Sequence, residues 1–268
     1  MLNTLHALAV IAICAFMNSS ARSAPLFDAI VVMGDSLSDN GNAGRASNGP
    51  VWVEYLAADM QLTLEPSRAG GTNYAVGGAR LDPRSGSTSL RAQADAYLRR
   101  SSPRGRILHI VFGGGNDLLA MVGQPQSVSK VDAAIASARS IVADLARRGA
   151  TDILVPNLPA IGITPALRAQ GQTAVEAANR LAEQFNRGLD QALSEFGGQT
   201  GLRLYRLDVW RLAERVSADP AAGGFADITT PCHQHRRCEG HLFWDSVHPT
   251  TQAHRRLAEA AVQVLEAQ

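Results

Sequence analysis

Several features are scarce in this 268-residue sequence. No block of like charge stands out: charged residues make up 18% and the formal net charge is +1. Proteins that neutralise nucleic-acid phosphates carry a basic stripe, so nucleic acid is not an expected partner. No apolar run is long enough to span a bilayer comfortably. The run at residues 5–17 falls short of the roughly 20 residues that a spanning helix needs. No internal repeat and no low-complexity linker divides the chain, so one domain is expected. Cysteine occurs three times, at positions 14, 232 and 238. What is abundant is apolar material, at 46%, which supports a sizeable core and argues against disorder.

The apolar run at 5–17 is followed by Ser19, Ser20, Ala21, Ser23 and Ala24. That order reads as a secretory signal peptide over residues 1–21, with cleavage as late as residue 24 as the other choice. No Lys or Arg precedes the run, which leaves an uncleaved anchor or a buried helix as the competing readings. Cleavage would leave a single domain over residues 25–268, secreted or periplasmic. It would also remove Cys14 and leave an even pair, Cys232 and Cys238. In an exported protein such a pair suggests a disulfide. The alternatives are free thiols or a metal site, because Cys232, His233, His235, Cys238 and His241 are zinc-type ligands crowded together.

Short apolar runs at Ala29–Met33, Arg106–Phe112, Thr151–Pro156 and Leu202–Leu207 read as strands, with a weaker one at Leu62–Leu64. Between them lie helical stripes at spacings of three and four. One is Val131, Ile135, Ala138, Val142 and Leu145. A second is Ala178, Ala182, Phe185, Leu189, Ala192 and Phe196. The third, Ala253, Leu257, Ala260 and Val264, lies in a last helix starting near Thr250 or Thr251. Strands alternating with amphipathic helices predict an α/β fold: a parallel sheet of about five strands, covered on both faces. Ligands of such sheets bind at the carboxyl ends of the strands. Ser36 follows the first strand and Gly113–Asp117 follows another, so both fall on one rim.

Four short blocks carry the chemistry: Gly34-Asp35-Ser36-Leu37-Ser38, Gly71–Ala79, Gly114-Gly115-Asn116-Asp117 and Asp245-Ser246-Val247-His248. A serine hydroxyl is a weak nucleophile and needs a base. His248 is a suitable one, and a carboxylate on its second ring nitrogen would fix the tautomer. Asp245, three residues earlier, can fold back if Pro249 keeps the segment out of helical geometry. A helix-capping loop with an incidental histidine is the plainer reading of that block. Developing negative charge on an acyl oxygen needs donors fixed in advance. The Ser36 amide, at a strand-to-helix turn, the Gly78 amide and the Asn116 side chain are the candidates, with Gly77 beside Gly78 as a rival amide. Asp35, Asp39 and Asp117 read as structural, and the plainer reading of Asn116 and Asn73 is that of loop residues capping their neighbours. Phe225, Leu242, Phe243 and Trp244 either line an acyl channel or fill core. The Ser217–Leu242 stretch is long enough to act as a lid.

Taken in order, the four blocks resemble those of the GDSL esterase/lipase family, or SGNH hydrolases, over nearly all of the expected mature chain. The resemblance maps the family's serine, glycine, asparagine and histidine to Ser36, Gly78, Asn116 and His248, and its aspartate to Asp245. It is closest to exported bacterial lipases, phospholipases and acyltransferases. It implies a three-layer, flavodoxin-like α/β/α sandwich and an acyl-enzyme mechanism without metal or other cofactor. Its implied partner is a lipid or small-molecule ester, met through transient membrane-surface contact. Acyl transfer to an alcohol is the alternative, and a non-catalytic lipid- or carbohydrate-binding module on the same fold is a third reading. The Cys232–Cys238 loop lies outside the family's core pattern.

Overall fold

The computed structural model describes residues 26–100, 104–124, 127–233 and 237–267. The expected signal peptide, Cys14 and His235 lie outside them. Four strands run parallel in the order β1 (Ala29–Gly34), β2 (Ile107–Phe112), β3 (Asp152–Pro156) and β4 (Arg203–Leu207). Three of them start one residue later than the sequence predicts.

Beyond its first residue, every position of β1 and β2 is buried, whichever face it points to. Strands without a wet face need cover on both sides. The helices are α1 (Trp52–Asp59), α2 (Leu90–Leu98), α3 (Gly115–Leu119), α4 (Ser127–Arg147), α5 (Pro165–Arg168), α6 (Gln172–Ser194), α7 (Val209–Ala218) and α8 (Thr251–Glu266). They fall into two groups, with α1 packed on α8 and α4 packed on α6, α2 and α3 lying beside α4. The result is the expected α/β/α sandwich. All five residues of the α4 stripe are buried. Each fully buried aliphatic side chain contributes about 1.5–3 kcal/mol relative to exposure, so the stripe rather than local propensity holds this helix.

Two expectations need correction. Among the described residues the sheet has four strands rather than five, and Leu62–Leu64 forms none of them. The outer edge of β1 is instead covered by residues 72–76: Val32 N–H donates to the Thr72 carbonyl (3.1 Å), and Tyr74 and Val76 N–H donate to Val32 (2.8 Å) and Gly34 (3.1 Å). The buried Asn73 side chain donates to the Ser38 carbonyl and to Asn40 Oδ1, and the pairing amounts to an isolated bridge, Val32 with Asn73, rather than a strand. The α8 stripe is also rotated. The buried residues are His254, Leu257, Ala258, Ala261 and Leu265, while Ala253, Ala260 and Val264 are only partly buried. A buried histidine hides the true face, because hydrophobic periodicity counts it as polar.

At the amino ends of the strands, Asp152 is fully buried and saturated. It accepts hydrogen bonds from Arg106, Arg203, Thr151 and Tyr205. Burial works to raise its pKa, but these donors outweigh it and hold the carboxyl well below the ordinary carboxylate range. Among the described residues, no helix is long and apolar enough to cross a membrane.

Candidate active site

β1 ends at Gly34, and the chain turns at once. The Asp35 carbonyl accepts from Ser38 N–H (3.1 Å) and Asp39 N–H (3.0 Å), and the Asp35 carboxylate accepts from Leu37 N–H (3.0 Å). No helix follows, so the expected strand-to-helix turn is corrected to a single turn and an irregular loop as far as α1. The turn is tight because Gly34 has no side chain: a Cβ there would stand 3.0 Å from Ser38 Cβ and 3.1 Å from the Phe112 carbonyl. Gln93 of α2 clamps the same residue, accepting from Gly34 N–H (2.8 Å) and donating to its carbonyl (2.9 Å). Ser38 is not a second free hydroxyl, since its Oγ accepts from the buried Trp52 indole (3.0 Å).

Ser36, at the crest of the turn, meets the loop before α8. Its Oγ is 2.9 Å from His248 Nε2, and His248 Nδ1 is 2.7 Å from Asp245 Oδ2. The other oxygen of Asp245 accepts the amides of Val247 (2.8 Å) and His248 (2.6 Å). One carboxylate thus shapes the loop and orients the ring. Burial raises the Asp245 pKa, but the His248 ring and the loop amides more than offset it and bring it to about 2. Thr250 caps α8 by accepting from Ala253 N–H (3.3 Å), so helix and loop are set by adjacent residues.

The candidate donors separate clearly. Gly77 N–H is taken by Asp39 Oδ2 at 2.9 Å. Gly78, held at φ +76° where a side chain is disfavoured, donates its amide to nothing among the described residues. The Ser36 amide likewise has no acceptor among the described residues. Asn116, in the first turn of α3, gives one Nδ2 hydrogen to the Ala79 carbonyl (3.0 Å). An amide nitrogen carries two hydrogens, so one remains. Asp39 is structural, accepting the amides of Gly41, Asn42 and Ala43 as well.

Ser36, Asn116 and His248 open onto a cavity of about 180 Å³. Its walls are almost wholly apolar. Ile161 and Ile163 form one side, and Phe225, Leu242 and Phe243 another. Trp244, read from the sequence as either channel wall or core, does not line it and is only partly buried; its amide donates to the His248 carbonyl. The sequence reading missed a third wall, the apolar face of α7 formed by Val209, Leu212, Ala213 and Val216. Their three-and-four spacing was the available signal.

Two further carboxyls lie close by. Asp35 also borders the cavity, and burial pushes its pKa up to about 6 against the opposing pull of the Leu37 amide and His248. Asp117, holding the amides of Leu81 (2.9 Å) and Asp82 (3.0 Å), is raised as well, again by burial. His254, beneath the His248 loop, is fully buried. Burial, and then the nearby His248, lower its pKa to about 3.

Cys232 and Cys238 are joined in a disulfide, so neither sulfur is free as a thiolate ligand. Among the described residues no group of three metal-ligating side chains gathers. The 217–242 stretch is tied down rather than hanging free. Gln252 of α8 donates to the Gly224 carbonyl (2.6 Å) and accepts from Gly240 N–H (3.0 Å).

A family model described as GDSL-like Lipase/Acylhydrolase matches residues 30–261. A phosphatidylcholine-sterol acyltransferase of Aeromonas hydrophila is 28% identical over 322 residues, which covers 93% of this chain and 93% of that protein. A thermolabile hemolysin of Vibrio parahaemolyticus is 25% identical, and the match covers 92% of this chain but 66% of the hemolysin. An acetylxylan esterase of Geobacillus stearothermophilus superimposes with a TM-score of 0.55 at 19% identity, over 88% of this chain and 93% of that one. At that identity the likeness shows the fold alone. The family match runs from β1 through most of α8, and on it the chain belongs to the GDSL-like lipase/acylhydrolase family.

Proposed function

We propose that this chain is an exported serine hydrolase that cleaves carboxylic esters with an aliphatic acyl chain, through an acyl-enzyme on Ser36. The observation that carries the reading is the unbroken relay Asp245–His248–Ser36 at the mouth of an apolar cavity. With Nδ1–H donated to the Asp245 carboxylate, Nε2 is the ring's acceptor. It takes the Ser36 proton as Oγ attacks the acyl carbonyl, and returns that proton to the departing alcohol. The amides of Ser36 and Gly78 and the spare Asn116 hydrogen meet the charge that develops on the carbonyl oxygen. Water then repeats the sequence and releases the acid, and the scheme needs no cofactor. The apolar run at 5–17 with small residues after it supports export, and contact with a lipid surface belongs to the same reading.

The test is an ester panel from acetyl to palmitoyl, with phospholipids and acetylated sugars alongside. A pocket with this lining favours aliphatic chains. Leu212→Trp should lower kcat/KM on long-chain esters by about 10- to 100-fold and leave acetyl esters nearly unchanged, because each methylene in an apolar pocket is worth about 1–3 kcal/mol. Equal losses on both would remove the chain-length claim. The likeness to a phosphatidylcholine-sterol acyltransferase over 93% of this chain favours one second reading, acyl transfer to an alcohol. Product analysis with a competing alcohol separates the two.

A further inference from the structure

The Cys232–Cys238 disulfide has no place in that chemistry, yet it is wired to the loop that performs it. Three stretches lie side by side. In the outer one, Cys232 N–H donates to the Phe243 carbonyl (3.0 Å) and His233 N–H to the Trp244 carbonyl (2.7 Å). The middle one, 242–244, is joined to the inner one through Trp244 N–H to the His248 carbonyl (2.8 Å) and Thr250 N–H to the Leu242 carbonyl (2.9 Å). The inner stretch carries His248. The middle stretch is rooted at Cys238, whose carbonyl accepts from His241 N–H (3.1 Å). The disulfide therefore fastens the outer stretch to the root of the middle one. Cys232 is fully buried behind Phe243, and Cys238 is half-buried.

The geometry points to Cys232 and Cys238 as positioning residues: their disulfide holds the Asp245–His248 loop at bonding distance from Ser36, so turnover depends on its being formed. This rests on the Ser36–His248 reading above. Reduction by dithiothreitol would begin at the half-exposed Cys238 sulfur. One reagent molecule supplies two electrons and two protons, leaves two protein thiols and closes to its own cyclic disulfide. The outer stretch then keeps its two amide bonds but loses its tether. Misplacement of a catalytic group by about 1 Å costs on the order of 100-fold.

The experiment compares oxidised, reduced and reoxidised enzyme, and the Cys232→Ser/Cys238→Ser double variant, on p-nitrophenyl acetate. Reduction is expected to lower kcat by about 10- to 100-fold with KM and the far-ultraviolet circular dichroism unchanged, and reoxidation to restore it. The double variant should match the reduced enzyme. A purely stabilising bond would leave kcat intact well below the melting temperature, and that result overturns the proposal. Loss of the circular dichroism signal on reduction also overturns it, because the bond would then hold the whole fold. Oxidised His248→Ala is run in parallel. If it stays active, the Ser36–His248 reading has failed; if it is inactive while reduced wild type is fully active, only the positioning role has failed.

Discussion

Asp152 and Asp35 are both buried aspartates at strand ends of one sheet, the first at the amino end of β3 and the second just past the carboxyl end of β1. Asp152 accepts six hydrogen bonds from four neighbouring side chains, two of them arginines. The Asp35 carboxylate accepts from no side chain, only from backbone amides such as that of Leu37, and borders the cavity. The environments push their pKa values in opposite directions, down for Asp152 and up to about 6 for Asp35. The same asymmetry extends to neighbours. The Ser36 and Gly78 amides at the carboxyl rim have no acceptor among the described residues, whereas at the amino ends the Asp152 carboxylate gathers the side chains of Arg106, Arg203, Thr151 and Tyr205. The contrast is therefore between a carboxylate saturated by side-chain donors and one left with few donors beside a cavity, on a rim that also holds unpaired amides, an arrangement expected of working sites.

The sharpest way to break this contrast is at the relay. His248→Ala should lower kcat on a p-nitrophenyl ester by more than about 10⁴-fold with little change in stability. A loss confined to stability would put His248 in the structural class with Asp152. Asn116→Ala should follow, with kcat down about 10²–10³-fold, the usual cost of one oxyanion donor; an unchanged kcat would remove Asn116 from that role.

The two aspartates make the next test, read by urea unfolding at pH 7.5 and pH 4. Asp152 has a depressed folded pKa. Its stabilisation is present above the unfolded value near 3.8 and is lost as pH falls toward the folded value. Asp152→Asn should therefore destabilise by about 2–3 kcal/mol at pH 7.5 and by nearly as much at pH 4, the effect fading only below 3.8, without altering kcat. The loss stays below that of a fully buried pair because Arg106 and Arg203 are 34% and 47% exposed. Asp35 has a raised folded pKa, so its stabilising effect is present below 3.8 and is lost as pH climbs through about 6. Asp35→Asn, which keeps an oxygen for the Leu37 amide, should be more stable than wild type at pH 7.5, by at most about 3 kcal/mol, with the gain vanishing near pH 4. Shifts of the same sign in the two variants would contradict the comparison.

Legibility of the sequence followed the range of the physics. β1 and the Ser36 turn could be read because a buried strand stopping at a glycine is a local pattern. The Asp245–His248 pairing could be read because three residues and a following proline fix the geometry. The choice between Gly77 and Gly78 could not, since it turns on Asp39, 38 residues away, which occupies the Gly77 amide. The Gln93 clamp on Gly34 is a contact across 59 residues and leaves no local trace. The face of α8 was misplaced because His254 is buried. The irregular cover on the outer edge of β1 escaped because its contacts are distant in sequence, Asn73 reaching Ser38 across 35 residues and Asn40 across 33.

The central claim is that Ser36 is the nucleophile of the relay. Intact-protein mass spectrometry after a fluorophosphonate ester, followed by peptide mapping, tests it most directly. The account predicts one adduct, on Ser36, formed in wild type and strongly slowed in His248→Ala. An active protein that takes no label, or takes it on another residue, would contradict it.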